Sequence, residues 1–239
     1  MSLLRKLTFT LAGCLGALSA PAQRVLLRAE PATDSMDVRY GPNRAFFQHV
    51  FLGYTPVVGR PAGPGADLRP FSSAELFLGV RYKFKLSTST AAGVDVRYAR
   101  LVYALEQNAR KVVPSAQQHQ QESLVLSQLQ LAPYWRFSYG RRGNVIGRYV
   151  DVSGWGGWAM AVTHRTEDAP GPTGGKRLTS TEHGLRYLRR WPYGVGARLG
   201  AGRYALVGRY RLSRTFTAAA NPAYVELPRW LVGLELGIF

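Results

Sequence analysis

Two short stretches hold the residue types of nucleophilic catalysis. His164 follows Thr163 and precedes Glu167 and Asp168, and His183 follows Ser180 and Glu182. A histidine beside a hydroxyl can take its proton while a carboxylate orients the ring. The competing reading is that short polar runs in or beside a loop carry such residues anyway, and no catalytic residue is assigned. His49 and His119 stand apart from these and from each other, so no pair has metal-ligand spacing and no metal is expected. No cofactor is expected either.

A second group is basic. Lys176, Arg177, Arg186, Arg189 and Arg190 lead into Trp191, and cations beside an interfacial aromatic could clamp phosphates through charge-assisted hydrogen bonds. The alternative is a solvated loop, favoured by Pro170-Gly171-Pro172 and Gly174-Gly175. A third group is dispersed along the chain and mixed in sign. It comprises Glu75, Asp95, Asp151 and Glu235 with Arg81, Lys83, Arg97, Arg136, Arg198, Arg209 and Arg211.

The third group is positioned by strands. From Glu75 to Leu86, Leu76, Leu78, Val80, Tyr82, Phe84 and Leu86 point one way, and Glu75, Phe77, Gly79, Arg81, Lys83 and Lys85 point the other. Similar alternation places strands near 45–55, 73–87, 91–105, 121–139, 147–165, 191–200, 203–214 and 228–239. Gly154-Trp155-Gly156-Gly157-Trp158 suggests a bend in the fifth, with Trp155 filling space over glycines. Connections alternate between long (56–72, 106–120, 166–190, 215–227) and short (88–90, 140–146, 201–202). With a symmetric turn near Ser89, Lys83 would lie opposite Asp95.

The first residues set the compartment. Arg5 and Lys6 precede the apolar run Leu7 to Leu18, and Ala20-Pro21-Ala22 offers a cleavage site before Gln23. Leu11-Ala12-Gly13-Cys14 also resembles a lipobox, which would make Cys14 a lipidated N-terminus. Cleavage after Ala22 leaves no cysteine, hence no disulfide or thiolate chemistry. The formal charge of +17 ordinarily suggests nucleic acid, but a secretory signal argues against that partner. Lipopolysaccharide phosphates, anionic lipids and acidic polysaccharides are the anions that remain.

At the C-terminus, Trp230, Val232, Leu234, Leu236 and Ile238 form one apolar row, and Phe239 follows. An even strand count, alternating loop lengths, aromatics near the strand ends and this terminal strand resemble the small eight-stranded outer-membrane barrels of the OmpA/OmpX kind and PorT-like barrels. The resemblance covers about Ala45 to Phe239 and implies an all-β, antiparallel, up-and-down transmembrane barrel with both termini periplasmic. It further implies contact with outer-membrane lipid and lipopolysaccharide, insertion by the barrel-assembly machinery through the Trp230 to Phe239 signal, and a monomer. One departure is that Phe239 shares parity with Gly237 and Glu235, so either a bulge shifts the strand end or the signal is a variant.

These readings give a signal peptide at 1–22, a periplasmic lead-in at 23–44 and a barrel at 45–239. An eight-stranded barrel is just wide enough for side chains to fill it, so the mixed charges are expected to build an interior ion-pair network. The expected role is non-enzymatic, structural or surface-binding. The alternatives are a lipid-modifying enzyme built on His164 or His183, and a secreted lipocalin-like barrel for an apolar ligand.

Overall fold

The alternating stretches form strands in the computed structural model, which describes residues 39–140, 143–169, 177–218 and 220–239. The expected signal peptide, Cys14, the expected lead-in before residue 39 and Lys176 lie outside the described residues. The strands are β1 (Phe46–Val58), β2 (Ala74–Lys85), β3 (Thr90–Leu105), β4 (Gln121–Tyr139), β5 (Arg148–Asp168), β6 (Leu178–His183), β7 (Tyr193–Ala201), β8 (Tyr204–Arg211) and β9 (Trp230–Ile238). The sheet runs β4-β3-β2-β1-β9-β8-β7-β5-β6, and a further β4–β5 pairing closes it. All neighbours are antiparallel. The fold is therefore an all-β, eight-stranded up-and-down barrel, with β6 as an additional strand beside the far end of β5.

Side chains alternate across this wall. Outward residues such as Leu76, Leu131, Val152 and Leu234 are exposed, while inward Glu75, Arg81, Asp95, Asp151 and Glu235 are almost fully enclosed. Three close approaches keep the interior packed. Gly93 lies under the Tyr134 ring, Gly200 under Tyr149 and Gly194 under Trp155. Trp155 thus fills space over a glycine of β7, and its indole N–H donates to the Val195 carbonyl at 3.2 Å.

Three expectations are corrected. Arg81 lies opposite Asp95 and Lys83 opposite Gly93, because the β2–β3 turn is centred at Thr88. The amides of Leu86 and Ser87 both reach the Thr90 carbonyl at 3.0 Å, and Ser87 Oγ accepts from the Thr90 amide at 3.0 Å. Moving a turn centre by one residue moves its register by two. The stretch 166–190 is not all loop, since β5 runs on to Asp168 and pairs with β6. Finally, not every aromatic near a strand end faces outward, since Phe216, just past β8, is buried within a cluster over the barrel mouth.

That cluster includes Leu105, Val113, Leu124, Leu185, Leu188 and Leu227, drawn from strand ends and from the long connections. The connections therefore fold over the lumen as an apolar crown. A bulge between Ser127 and Gln128 on β4, opposite the extra residue Met160, reverses the parity of β5. Val162 and Thr166 are buried beyond it, and His164 shares their row.

Candidate functional site

The lumen holds the densest chemistry. Arg81 donates to Asp95 through Nε and Nη2 at 2.8 and 2.9 Å, and to Glu235 through Nη1 and Nη2 at 2.7 and 3.1 Å. Arg198 donates to Asp95 at 2.5 Å and lies 3.1 Å from Asp151. Arg136 binds Asp151 at 2.7 and 2.8 Å. These six side chains form one network of three guanidiniums and three carboxylates. Aromatic rings cover its cations, with Arg136 3.6 Å from the Tyr149 centroid and Arg81 4.4 Å from that of Phe51.

A second group lies nearer the loop end. Arg209 pairs with Glu75 and donates to Gln130 at 2.9 Å, while its guanidinium stacks 4.1 Å from Trp155. Arg97 donates to Gln130 at 2.8 Å. Arg211 reaches upward to Glu226 at 2.9 Å and to the carbonyls of Leu227 and Pro228, tying the β8–β9 connection to the wall. Lys83 donates to the Pro42 carbonyl at the opposite, turn end of the barrel.

The histidines are crown residues, apart from His49. Glu122, whose side chain is fully enclosed, accepts from His164 Nε2 at 2.7 Å, from Gln107 at 3.1 Å and from Lys111. His164 Nδ1 faces Glu182 of β6 at 3.5 Å. Burial disfavours the His164 cation, but the hydrogen bond and charge of Glu122, aided by Glu182, outweigh it and raise the pKa above the ordinary histidine value. Burial likewise pushes Glu122 up, yet its bonds from His164, Lys111 and Gln107 bring it below the usual carboxylate range. His119 Nδ1 meets both oxygens of Asp168 at 2.8 and 3.0 Å.

His119, His164, Asp168 and Glu182 border an open cleft of about 400 Å³ that Ser180 and Tyr187 also line. A general base needs one nitrogen free to accept a proton. Both nitrogens of His164 face carboxylates, an arrangement satisfied by the imidazolium, which only donates. His183 is exposed, and its Nδ1 lies 3.4 Å from Thr163 Oγ1, at the limit of a hydrogen bond. Among the described residues, no group of three His, Cys, Asp or Glu side chains is placed to hold a metal ion.

No protein-family profile matches the chain, and no curated protein sequence matches it. Among solved structures it is similar to Ail, the attachment invasion locus protein of Yersinia pestis, in complex with the heparin analogue sucrose octasulfate. That likeness has 12% identity and a TM-score of 0.34, over 80% of this chain and 97% of Ail. So loose an overlap transfers nothing, and the closed barrel rests on the strand pairing described above.

The basic group is spread out. Arg177 pairs with Glu167 at 3.0 Å near the tip of the β5–β6 hairpin, whereas the Arg190 carbonyl accepts from the Ala159 amide eight residues down β5. That separation is about 25 Å along an extended strand. Arg186 and Arg190 are exposed and Arg189 half-buried. Trp191 stacks on Trp158 with centroids 6.4 Å apart.

In β9, Trp230, Val232, Leu234 and Ile238 are exposed and Leu236 half-buried. One register holds along β9 against both neighbours, so no bulge shifts its end. The Phe239 ring instead packs 5.8 Å from Phe47 and 5.5 Å from the buried His49, with Arg203 5.1 Å away.

Glu122, Lys111, Glu226, Gln128 and Gln130 were not singled out from sequence as partners. Glu122 and Gln128 share the parity of Arg136 and were legible on that ground. Lys111 and Glu226 sit in connections, where periodicity carries no signal.

Proposed function

We propose that the chain is an outer-membrane β-barrel that acts without catalysis, as a plugged and loop-capped surface-binding protein. The observation that carries this is the apolar outward belt around a charged lumen. In hydrocarbon every backbone polar group must be paired internally, and a closed barrel achieves this. From Leu129 to Tyr139 the outward row of β4 rises roughly 25 Å at the usual spacing of about 3.3 Å and tilt of about 40°, which matches the apolar band of such barrels.

Exposed aromatics border the belt. Tyr54, Tyr98, Trp158, Trp191, Tyr193 and Trp230 lie toward the loop end, and Phe84, Phe137, Tyr139 and Tyr204 toward the turn end. A soluble lipocalin-like barrel would carry the opposite polarity. In this orientation the short turns, Arg39 and Phe239 are periplasmic and the crown faces outward. Closure leaves no free strand edge within the belt, which favours a monomer. The apolar row of β9 would be read by the assembly machinery, and outer-membrane lipid and lipopolysaccharide are the partners this surface fits.

The non-enzymatic part rests on His164, held between two carboxylates. The test is fractionation of the tagged chain, followed by gels with and without boiling. Outer-membrane recovery with a heat-dependent mobility shift is expected, and recovery as a soluble protein with no shift would overturn the reading.

A further inference from the structure

Three glycines interrupt β5 between Val152 and Trp158, and they are not equivalent. Gly157 faces inward, where a Cβ would press on Gln130 Cγ at 2.9 Å. Gly154 and Gly156 face outward, and nothing lies within 4 Å of where their Cβ atoms would sit. Neither packing nor a left-handed backbone calls for glycine at those two positions. A strand glycine with open space above it leaves the backbone free for close approach by a ligand.

The neighbouring outward rows are bulky. Gly156 pairs with Leu131 on one side and Tyr193 on the other, and Gly154 pairs with Val195. The result is a groove of about 580 Å³ in the barrel's outer face. It is floored by Gly156 and Gly157, walled by Leu131, Pro133 and Tyr193, and closed at the loop end by the stacked Trp158 and Trp191. Two strand spacings of about 4.8 Å set its walls roughly 10 Å apart.

The chemistry narrows the occupant. The groove opens onto the belt, so its occupant comes from within the bilayer. A polypeptide strand finds no partner there, because the backbone of β5 is already paired to β4 and β7 at this level. An alkyl chain needs no hydrogen bonds. Loop-ward of the groove are two exposed cations, Arg190 beside Trp191 and, on β3, Arg100 one outward step beyond Tyr98, which pairs with the groove residue Leu129. Farther out, Arg165 and Arg177 are already held by Glu167 at 2.6 and 3.0 Å.

We propose that this groove seats an acyl chain of an anionic outer-leaflet glycolipid, with Arg100 and Arg190 receiving its phosphate. The proposal rests on the membrane reading given above. Filling the groove with Gly156→Leu leaves the lumen untouched, so that variant is expected to fold. The full chain in nonionic detergent would be mixed with bis-phosphorylated lipid A, and bound lipid counted by native mass spectrometry. Phosphatidylcholine and inorganic phosphate serve as comparison probes.

One lipid A per barrel is expected for the unsubstituted protein. Gly156→Leu, and separately Arg100→Ala with Arg190→Ala, should each weaken its affinity about tenfold in a lipid titration, a loss of about 1.4 kcal/mol. Equal retention by Gly156→Leu would overturn the proposal, as would equal retention of phosphatidylcholine, which would mark ordinary boundary lipid. Displacement by inorganic phosphate would leave only an anion site, and a dimer mass in place of lipid would make the groove an interface between copies. A heat-dependent mobility shift checks the fold of each variant. Failure of the unsubstituted chain to enter detergent would sink the membrane reading itself.

Discussion

Arg81 is the residue on which the lumen network depends most. Its guanidinium makes four hydrogen bonds to two carboxylates, and all three side chains are at most 2% exposed. Arg81→Met keeps the stem that packs beside Phe51 but removes the charge. The surrounding network then has two guanidiniums, Arg136 and Arg198, against Asp95, Asp151 and Glu235. Removing one partner of a buried pair destabilises by about 3–5 kcal/mol, because the other charge stays behind in low dielectric. Adding Glu235→Gln restores equal numbers and should recover at least about half of that loss. The assay is urea unfolding of the detergent-folded barrel, followed by tryptophan fluorescence and by the heat-dependent gel band. A single variant within about 1 kcal/mol of the parent, or a double variant no more stable than the single, would refute the claim that charge balance holds this lumen together.

Gly93→Val should fail to fold, since a Cβ there would meet the Tyr82 carbonyl at 2.1 Å and Tyr134 Cζ at 2.5 Å, whereas Gly154→Val, with open space around it, should fold normally; the heat-dependent band separates the two. His164 has a raised pKa, so its stabilisation of the β5–β6 hairpin is fully present below the unfolded histidine value and is lost as pH rises through the folded one. Glu122 has a lowered pKa, so its contribution is lost only as pH falls through that lower value. Hydrogen exchange across Leu178–His183, corrected for intrinsic rates, should therefore show less protection at high pH than near pH 5, by up to about 1.5–3 kcal/mol, and His164→Gln should flatten the profile. His164→Ala should leave lipid A composition unchanged, and an altered composition would revive the enzymatic reading.

Alternation alone carries most of the barrel, because a wall with two unlike faces imprints a two-residue period on every strand. The same parity puts Glu75, Arg81, Asp95 and Glu235 on one row. It does not say who pairs with whom, since that depends on register, and register depends on turn chemistry. At the β2–β3 turn, Ser87 rather than Ser89 organises the hydrogen bonds, and Arg81 takes the place opposite Asp95 that symmetry assigned to Lys83. The bulge at Met160 was invisible because one extra residue leaves no mark in an already irregular, glycine-rich strand. The crown was missed for another reason. Val113, Leu185, Leu188, Phe216 and Leu227 are isolated apolar residues in connections, with no period to betray a shared core.

The crown also makes the membrane reading sharper than the belt alone would. Tyr98, Leu129 and Trp158 are paired across β3, β4 and β5 at one level of the wall. On the turn side of that level the outward row is apolar and the inward row carries Gln130, Arg97 and Arg136. On the loop side the apolar side chains move inward, with Arg100, Ser123 and Thr163 outward and Leu101, Leu124 and Val162 inward around the paired Glu122 and His164. A barrel in one solvent has no reason to exchange its faces partway along its strands. One that leaves hydrocarbon for water must, because each exterior has to match its surroundings and each interior must satisfy what remains. On the membrane reading the buried charges and the apolar crown are two answers to one constraint, and their meeting level is where the loop-side surface of the bilayer would lie. The paired rings of Trp158 and Trp191 sit at that level, where amphipathic aromatics are most stable. The glycine groove begins directly beneath them, which on the same reading is the depth where a lipid's chain meets its headgroup.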